Sequence, residues 1–319
     1  MSKPKVITLT PDILDRNGIS TTETLAAARL DFLINGHFAT GYDRNGICQS
    51  QTPSGANAMT LNGALGIDFR SRRGAYILIY AVGNDTGRTF TVVGEDIDGN
   101  RITEAITGPG AGLITLGSTK FYHVTSVTPD AGTADAIEIG VNGYVEFDTP
   151  QHVAIYSAGD DSGDTITPRG YDRYGVAITD SITGANAGTS TTQDVNFAWV
   201  DRITDDGASA GAVEAGTDGK CESAWFVLNY RGPDFNVGIG CDLSSGASLT
   251  YTLQHTFSNV LASTFTDETS AVVNNHDVIA SQTAAADGNY TNPPVACRLA
   301  ITTHSSGSVY ARIVQTGRS

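Results

Sequence analysis

The chain has 319 residues and a formal net charge of −15 at pH 7. Hydrophobic residues make up 40% of the chain and charged residues only 17%, so the composition favours packed cores and excludes a disordered chain. The 19 lysines and arginines are scattered, which argues against nucleic acid or an anionic membrane as a partner. No apolar run is long enough for a transmembrane helix, and the run at residues 6–9 is too short for the core of a signal peptide.

Residues 1–65 are predicted to form an N-terminal arm that contains one helix. Ser20 and Glu23 have the spacing of a capping box, in which each side chain bonds a free backbone N–H at the start of a helix. The segment 25–34 is a good helix former and ends at Asn35 and Gly36. The remainder of the arm is short and irregular, which is typical of a clamp that a partner holds.

Residues 66–142 and 143–218 are predicted to be two copies of one β unit. The segments 79–140 and 155–216 align at a constant offset of 76 positions without a gap, and 26 of their 62 positions are identical. In both copies Thr, Val, Ile and Tyr alternate with polar residues between glycine-containing turns, which favours short strands. We therefore expect each copy to be a small β-sandwich.

Positions that are identical in both copies are best explained by the fold that the copies share. Shared glycines are expected to supply positive φ in hairpin turns, and shared aspartates to accept hydrogen bonds from turn backbone. Shared apolar residues that alternate with polar ones are expected to form one buried face of each strand. The pairs are Gly83/Gly159, Gly87/Gly163, Gly99/Gly175, Asp85/Asp161, Asp96/Asp172, Tyr80/Tyr156, Ile102/Ile178 and Ile106/Ile182.

Residues 219–319 are predicted to form a C-terminal β-sandwich of the jelly-roll type. The segments 249–254, 295–301 and 309–313 alternate apolar and polar residues, and a Ser-Ser-Gly turn at 305–307 joins the last two into a hairpin. The four cysteines have no metal-ligand spacing, and we expect them to be free, buried and small hydrophobic residues, which fits synthesis in a reducing cytoplasm. They are Cys48, Cys221, Cys241 and Cys297.

The sequence predicts no catalytic residue, no metal ligand and no cofactor. The six histidines are scattered and belong to no nucleophile or zinc motif; they are His37, His123, His152, His255, His276 and His304. Oxygen-bearing side chains crowd two loops of the first copy as in a Ca²⁺ site, namely Asn84, Asp85, Glu95, Asp96, Asp98 and Asn100. The second copy replaces Asp98 by Tyr174 and Asn100 by Val176, so we interpret these loops as turns. No pair of carboxylates stands out as a glycosidase pair.

Two further groups of side chains have two interpretations each. Arg70, Arg72 and Arg73 either pair with an acidic patch on a neighbouring subunit or belong to a solvated loop. Four aromatic residues either form an exposed surface for carbohydrate or belong to the cores of strands; they are Trp199, Trp225, Tyr171 and Tyr174.

Several stretches of the chain resemble a recurrent type of tailed-bacteriophage virion structural protein. They include Gly-Asn-Asp-Thr-Gly-Arg-Thr-Phe-Thr-Val at 83–92, Gly-Glu-Asp-Ile-Asp-Gly-Asn at 94–100, and the segments 60–65, 102–112, 284–289, 298–301 and 307–315. The resemblance covers most of residues 57–319 and does not separate head proteins from tail proteins. It implies no catalytic residue.

The expected function is therefore that of a non-enzymatic, all-β virion subunit. We favour a capsid decoration or cement protein, made in the host cytoplasm, on the outer surface of the particle. It would bind the major capsid protein or other virion subunits and assemble as a dimer or trimer, because sheet edges need to be covered. The acidic charge suits an outward face rather than one that contacts packaged DNA. The alternatives are a tail, baseplate or head–tail connector subunit, and a receptor- or carbohydrate-binding virion protein.

Overall fold

The computed structural model describes residues 5–10, 19–25, 31–34, 42–65, 73–192, 195–230, 236–262, 265 and 271–315. Within these ranges the protein is all-β, with several sheets and no helix. Accordingly, the described part of the chain contains no helix that could span a membrane.

The strands in chain order alternate with short turns. They are β1 (Lys5–Leu9), β2 (Ser20–Glu23), β3 (Asp43–Gln51), β4 (Ala75–Ala81), β5 (Thr89–Glu95), β6 (Arg101–Thr107), β7 (Ile114–Phe121), β8 (His123–Pro129), β9 (Ile137–Val141), β10 (Val145–Ser157), β11 (Thr165–Tyr171), β12 (Ala177–Thr179), β13 (Ile182–Thr183), β14 (Thr189–Thr192), β15 (Phe197–Asp205), β16 (Val213–Glu222), β17 (Phe226–Val227), β18 (Val237–Leu243), β19 (Ser248–Thr256), β20 (Val273–Asn275), β21 (Ala286–Tyr290), β22 (Ala296–Ser306) and β23 (Val309–Gln315).

The first repeat is a sandwich of a four-stranded and a three-stranded sheet. The strand orders are β3-β9-β4-β7 and β6-β5-β8, and neighbouring strands are antiparallel. Alternation places apolar side chains such as Ile77, Phe90 and Val127 between the sheets, where they are fully buried.

The second repeat has the same strands at the expected offset. β10 pairs with β16 as β4 pairs with β9, and β11 pairs with β15 as β5 pairs with β8. Its core includes Ile155, Ile166 and Phe197. The strands that form two separate sheets in the first repeat are joined in the second, because the first half of β10 also pairs with β15. The two layers of this sandwich therefore belong to one continuous sheet in the order β12-β11-β15-β10-β16.

The C-terminal unit is a sandwich of two four-stranded sheets. One sheet has the order β1-β23-β18-β21, and the other continues the sheet of the second repeat as β16-β22-β19-β20. The core centres on Tyr251, Leu253 and Leu299. β16 lies in both units, since it pairs with β10 from Val213 to Thr217 and again at Cys221, and with β22 at Cys221 and Glu222.

The N-terminal 65 residues contribute strands or apolar side chains to all three cores. β1 pairs with β23 and places Leu9 in the C-terminal core, whereas β2 pairs with β16 and the flanking Ile19 and Phe32 lie in the core of the second repeat. β3 pairs with β9, and Ile47 lies in the core of the first repeat. The described parts of the arm therefore pack on the chain's own sandwiches.

The capping-box prediction for Ser20 and Glu23 was wrong, because both residues belong to the strand β2. The Ser20 hydroxyl donates to Glu23 Oε1 at 2.6 Å, and the Leu33 N–H donates to the same oxygen at 3.0 Å. At the far end of the predicted helix, Asp31 and Ile34 form β-bridges. The middle of that helix, residues 26–30, lies outside the described residues.

The positive-φ prediction holds for one of the three glycine pairs for which it was made. Gly99 and Gly175 have φ of +80° and +81°, and each lies in the turn that precedes the next strand. The other two pairs do not have positive φ; a side chain at Gly83 or Gly159 would instead collide with the loop before β9 or β16. Close approach of two loops thus explains Gly83 and Gly159. A Cβ at Gly87 or Gly163 would meet open space, and nothing in the described part of the structure explains that pair.

Candidate functional site

The shared aspartates hydrogen-bond to turn backbone in both repeats, as the sequence predicts. Oδ1 of Asp96 accepts from the N–H groups of Asp98 and Asn100, at 2.9 and 2.8 Å. In the second copy Oδ1 of Asp172 accepts from Tyr174 and Val176, at 2.8 and 2.9 Å.

Asp85 and Asp161 each connect two loops, because the carboxylate of one loop accepts a hydrogen bond from the backbone of the other. Asp85 Oδ1 accepts from the Ala134 N–H at 2.8 Å, and Asp161 Oδ1 accepts from Ala210, the equivalent residue of the second copy. The loops that resembled a Ca²⁺ site are therefore turns that carboxylates hold together.

Two of the candidate aromatic residues are buried beneath arginines. Trp199 is stacked on Tyr171, with ring centroids 4.7 Å apart, and the Arg73 guanidinium carbon lies 3.0 Å from the centroid of the Trp199 ring. Trp225 is covered by Arg298 at 4.5 Å. Tyr174 is the exposed member of the set, at 44% of its surface. Of the three arginines at 70–73, Arg73 packs on the Trp199 ring of its own chain. Arg70 and Arg72 lie outside the described residues.

A polar junction joins the two repeats. The Lys120 ammonium of β7 forms an ion pair with Asp201 of β15 and donates to Tyr171 Oη at 3.2 Å. Arg202 forms an ion pair with Asp31 of the arm at 2.7 Å and donates to the Gly117 carbonyl of the first repeat at 3.3 Å. Burial alone would lower the pKa of Lys120, but the Asp201 charge and hydrogen bond raise it, so the ammonium stays protonated at neutral pH. Burial raises the pKa of Asp201, an effect that Lys120 and Arg202 oppose.

The junction uses positions at which the repeats differ. The equivalents of Lys120, Tyr171, Asp201 and Arg202 in the other copy are Asn196, Glu95, Thr125 and Ser126. The shared positions therefore build the sandwich, while the divergent ones fix one sandwich to the other.

One concave surface of the C-terminal sandwich combines aromatic walls with two histidines. A cavity of about 360 Å³ is lined by ten residues: His255, Phe257, His276, Asp277, Val278, Asn289, Tyr290, Thr291, Asn292 and Pro294. The Tyr290 ring packs edge-on against both imidazoles, with centroids 5.2 Å from His255 and 4.9 Å from His276. We call this the aromatic pocket.

Two polar atoms of the aromatic pocket are buried without a hydrogen-bond partner among the described residues. They are Nδ1 of His255 and the Tyr290 hydroxyl. His276 is satisfied by backbone, because its Nδ1 accepts from Val278 and Ile279, both at 3.1 Å.

Burial sets the protonation of two side chains in the aromatic pocket. Burial, with the charge of His276, lowers the pKa of His255, so this imidazole is neutral at pH 7. Burial raises the pKa of the Tyr290 phenol, which therefore stays protonated. The pocket offers aromatic walls, a neutral imidazole and a hydroxyl, which suit a neutral polar ligand or a partner's side chain.

An exposed apolar patch adjoins the aromatic pocket. Phe257 and Val278 are each 58% exposed and line its mouth, while Leu261 in the segment after β19 and Val272 just before β20 are 68% and 69% exposed. The Val272 N–H donates to Ser258 Oγ at 3.1 Å, which holds the two loops together. Exposed apolar side chains that are close together are typical of a contact surface.

The other described histidines do not line the aromatic pocket. His152 is buried and His304 Nε2 bonds the Gly307 carbonyl at 3.0 Å, whereas His123 begins β8. His37 lies outside the described residues. All four cysteines are buried and form no disulfide in the described structure, as predicted. The sequence did not predict that His255 and His276, 21 positions apart, would meet across Tyr290, because the strand β20 that places His276 is only three residues long.

Comparison with known proteins adds no assignment. The chain matches no model of a known protein family, and no curated protein is significantly similar to it.

Proposed function

We propose that this protein is a non-enzymatic structural subunit of a tailed-phage particle, and specifically a capsid decoration or cement protein. The observation that carries the proposal is the way the chain ties its own three sandwiches together. N-terminal strands enter all three, β16 is shared between two, and the Lys120–Asp201 junction links the repeats. Units that are connected by shared strands and ion pairs suit a subunit that bears mechanical load rather than one that closes around a substrate.

Further support comes from the resemblance to virion proteins and from the surface. The net charge of −15 suits the outer face of a capsid, away from packaged DNA. The exposed patch of Phe257, Leu261, Val272 and Val278 offers an apolar contact for the major capsid protein or another virion subunit. Strands such as β6, β21 and β20 end their sheets, so a dimer or trimer would cover edges that one chain leaves open.

Copy number tests this proposal. Purified phage particles and tailless heads are analysed by quantitative mass spectrometry against the major capsid protein. We expect hundreds of copies in both preparations. A dozen or fewer, or loss of the protein together with the tails, would instead assign it to the tail, baseplate or connector.

The aromatic pocket favours a second candidate, a receptor- or carbohydrate-binding virion protein. Sugars stack on aromatic rings and hydrogen-bond to groups such as the Tyr290 hydroxyl and His255 Nδ1, for which the described part of the chain supplies no partner. A glycan array probed with the wild type and with Phe257→Ala tests it. Binding that Phe257→Ala removes would support this candidate, whereas an array without signal would eliminate carbohydrate as the ligand.

We also propose that the C-terminal sandwich is a jelly roll whose first strand is β1. The support is the strand order, since the strands form two four-stranded sheets, β1-β23-β18-β21 and β16-β22-β19-β20. Successive strands of these two sheets cross from one to the other, except that β19 and β20 are neighbours in the same sheet. On this proposal both repeats are inserted between the first and second strands of one domain. Deletion of residues 1–10 should then destabilise the C-terminal sandwich more than the repeats, which hydrogen exchange resolved by peptide would measure.

A further inference from the structure

Three carboxylates converge at one end of the second repeat. Asp205 ends β15, Asp206 follows it, and Asp164 lies in the turn before β11. One oxygen of each lies within 4.8 Å of the others. We call these three residues the aspartate cluster.

The duplication shows that the fold does not require this cluster. The equivalents of Asp164, Asp205 and Asp206 in the first repeat are Arg88, Pro129 and Asp130. The same turn and strand end therefore form there with one carboxylate and one arginine. At these three positions the second copy therefore has two more negative charges and one fewer positive charge than the first.

An unpartnered buried oxygen distinguishes the cluster from a surface group of acids. Asp205 is only 4% exposed, and its Oδ2 is buried without a hydrogen-bond partner among the described residues. Its Oδ1 accepts from the Gly207 N–H at 3.2 Å. A buried carboxylate oxygen without a donor is costly unless a proton or a cation binds it.

The surroundings of Asp205 increase the negative charge. Asp161, 1% exposed, lies close enough to act on both Asp164 and Asp205. Burial, followed by the charges of these neighbours, raises the pKa of Asp205 to about 6. No lysine or arginine is among the groups that act on Asp205 or Asp164 in the described structure.

Gly207 opens the space beside the cluster. A Cβ at Gly207 would collide with the Asp164 carboxylate, whereas the first repeat, which has Arg88 in place of Asp164, has Ala131 at this position. The Thr165 N–H donates to Asp206 Oδ1 at 2.7 Å. Backbone donors thus hold one oxygen of Asp205 and one of Asp206, which leaves the second oxygen of each for a ligand.

We infer that the aspartate cluster of the second repeat binds one Ca²⁺ ion. The donors are all carboxylate oxygens, which select a hard cation, and their spread is compatible with oxygens on opposite sides of an ion at about 2.4 Å from each. Ca²⁺ accepts irregular arrangements with water in the remaining positions, whereas Mg²⁺ requires near-octahedral geometry. The ion would neutralise the end of β15 and stabilise the second repeat.

Calorimetry on the full chain tests this inference. After treatment with chelator and dialysis, CaCl₂ is titrated into the wild type, into Asp164→Asn and Asp205→Asn, and into the control Asp130→Asn. We expect one site per chain in the wild type and the control, and affinity reduced by about tenfold or more in the two cluster variants. Thermal unfolding in parallel should show a Ca²⁺-dependent rise of the melting temperature that the cluster variants lose.

The cluster variants should fold without the ion, because each substitution removes a negative charge from a repulsive group. Their melting temperatures in chelator should equal or exceed that of the wild type. Absence of a Ca²⁺ response in the wild type would overturn the inference, and a proton shared by Asp205 and its neighbours would then explain the buried oxygen. An unchanged response in Asp164→Asn and Asp205→Asn would overturn it as well, since the ion would bind elsewhere.

Discussion

The backbone of Ile34 and the side chain of Asn142 connect the N-terminal arm to the linker between the repeats. The Ile34 N–H donates to Asn142 Oδ1 at 3.0 Å, and Asn142 Nδ2 donates to the Phe32 carbonyl at 3.2 Å. Asn142 is 1% exposed and follows β9, and its own N–H donates to the Tyr76 carbonyl at 2.9 Å. One buried amide therefore satisfies two backbone groups of the arm at the point where the first repeat passes into the second.

Asn142→Ala should lower the free energy of unfolding by about 1–3 kcal/mol, because it leaves a buried N–H and a buried carbonyl without partners. Urea denaturation followed by circular dichroism measures this. Asn100→Val is the control, since the second copy has Val176 at that position and Asn100 is exposed. Equal stability of Asn142→Ala and the wild type would show that water replaces the amide and that the arm is held by its apolar residues alone.

Gly94→Ala and Gly170→Ala should each destabilise the protein by about 1–3 kcal/mol or more, because the added Cβ would collide with the carbonyl of His123 or Trp199 on the neighbouring strand. The register of the pairing shifts at both glycines, as in a β-bulge. Gly87→Ala is the matched control, because its Cβ would meet open space. Melting temperatures compare the three variants, and similar values for all of them would contradict the steric explanation.

The cysteines should not react with a thiol reagent in the native protein. Burial raises the pKa of Cys48, Cys241 and Cys297 to about 12, so the reactive thiolate is scarce at pH 8, and the Cys221 side chain is buried as well. Labelling with an aromatic disulfide reagent should be negligible in buffer and should reach four thiols per chain in denaturant. Rapid labelling in buffer would indicate that one of the three cores opens readily.

The stability of the C-terminal sandwich should decrease as the pH falls below about 6.5, the usual pKa of histidine. Burial and the charge of His276 lower the pKa of His255 in the folded state, so the unfolded chain binds a proton at a higher pH than the folded one. Stability is then fully present above pH 6.5 and is lost progressively on acidification. Urea midpoints between pH 8 and pH 5 measure this dependence, and His255→Gln should reduce it. An identical pH dependence in His255→Gln would assign the effect to other groups.

The sequence by itself determined the duplication, the all-β class and the roles of the turn aspartates. These features follow from local physics: alternation at period two specifies a strand with one buried face, and a carboxylate two residues before a turn N–H can accept from it. Because both copies are in one chain, the identity of Asp96 and Asp172 beside the divergence of Asp98 and Tyr174 separated turn formation from metal binding. The burial of the cysteines was expected because they lack metal-ligand spacing and because Cys297 lies among alternating apolar residues.

Only the tertiary structure decided which distant segments pair and which side chains meet. The Ser20–Glu23 spacing fits a helix cap as well as a strand, and the pairing of Ser20 with Ala215 selected the strand. Gly94 and Gly170 are required by a carbonyl on the next strand, which no local pattern reveals. Asp164 and Asp205 are 41 positions apart and come together because β11 pairs with β15. Contacts of this kind depend on strand order and register, which short-range sequence patterns do not encode.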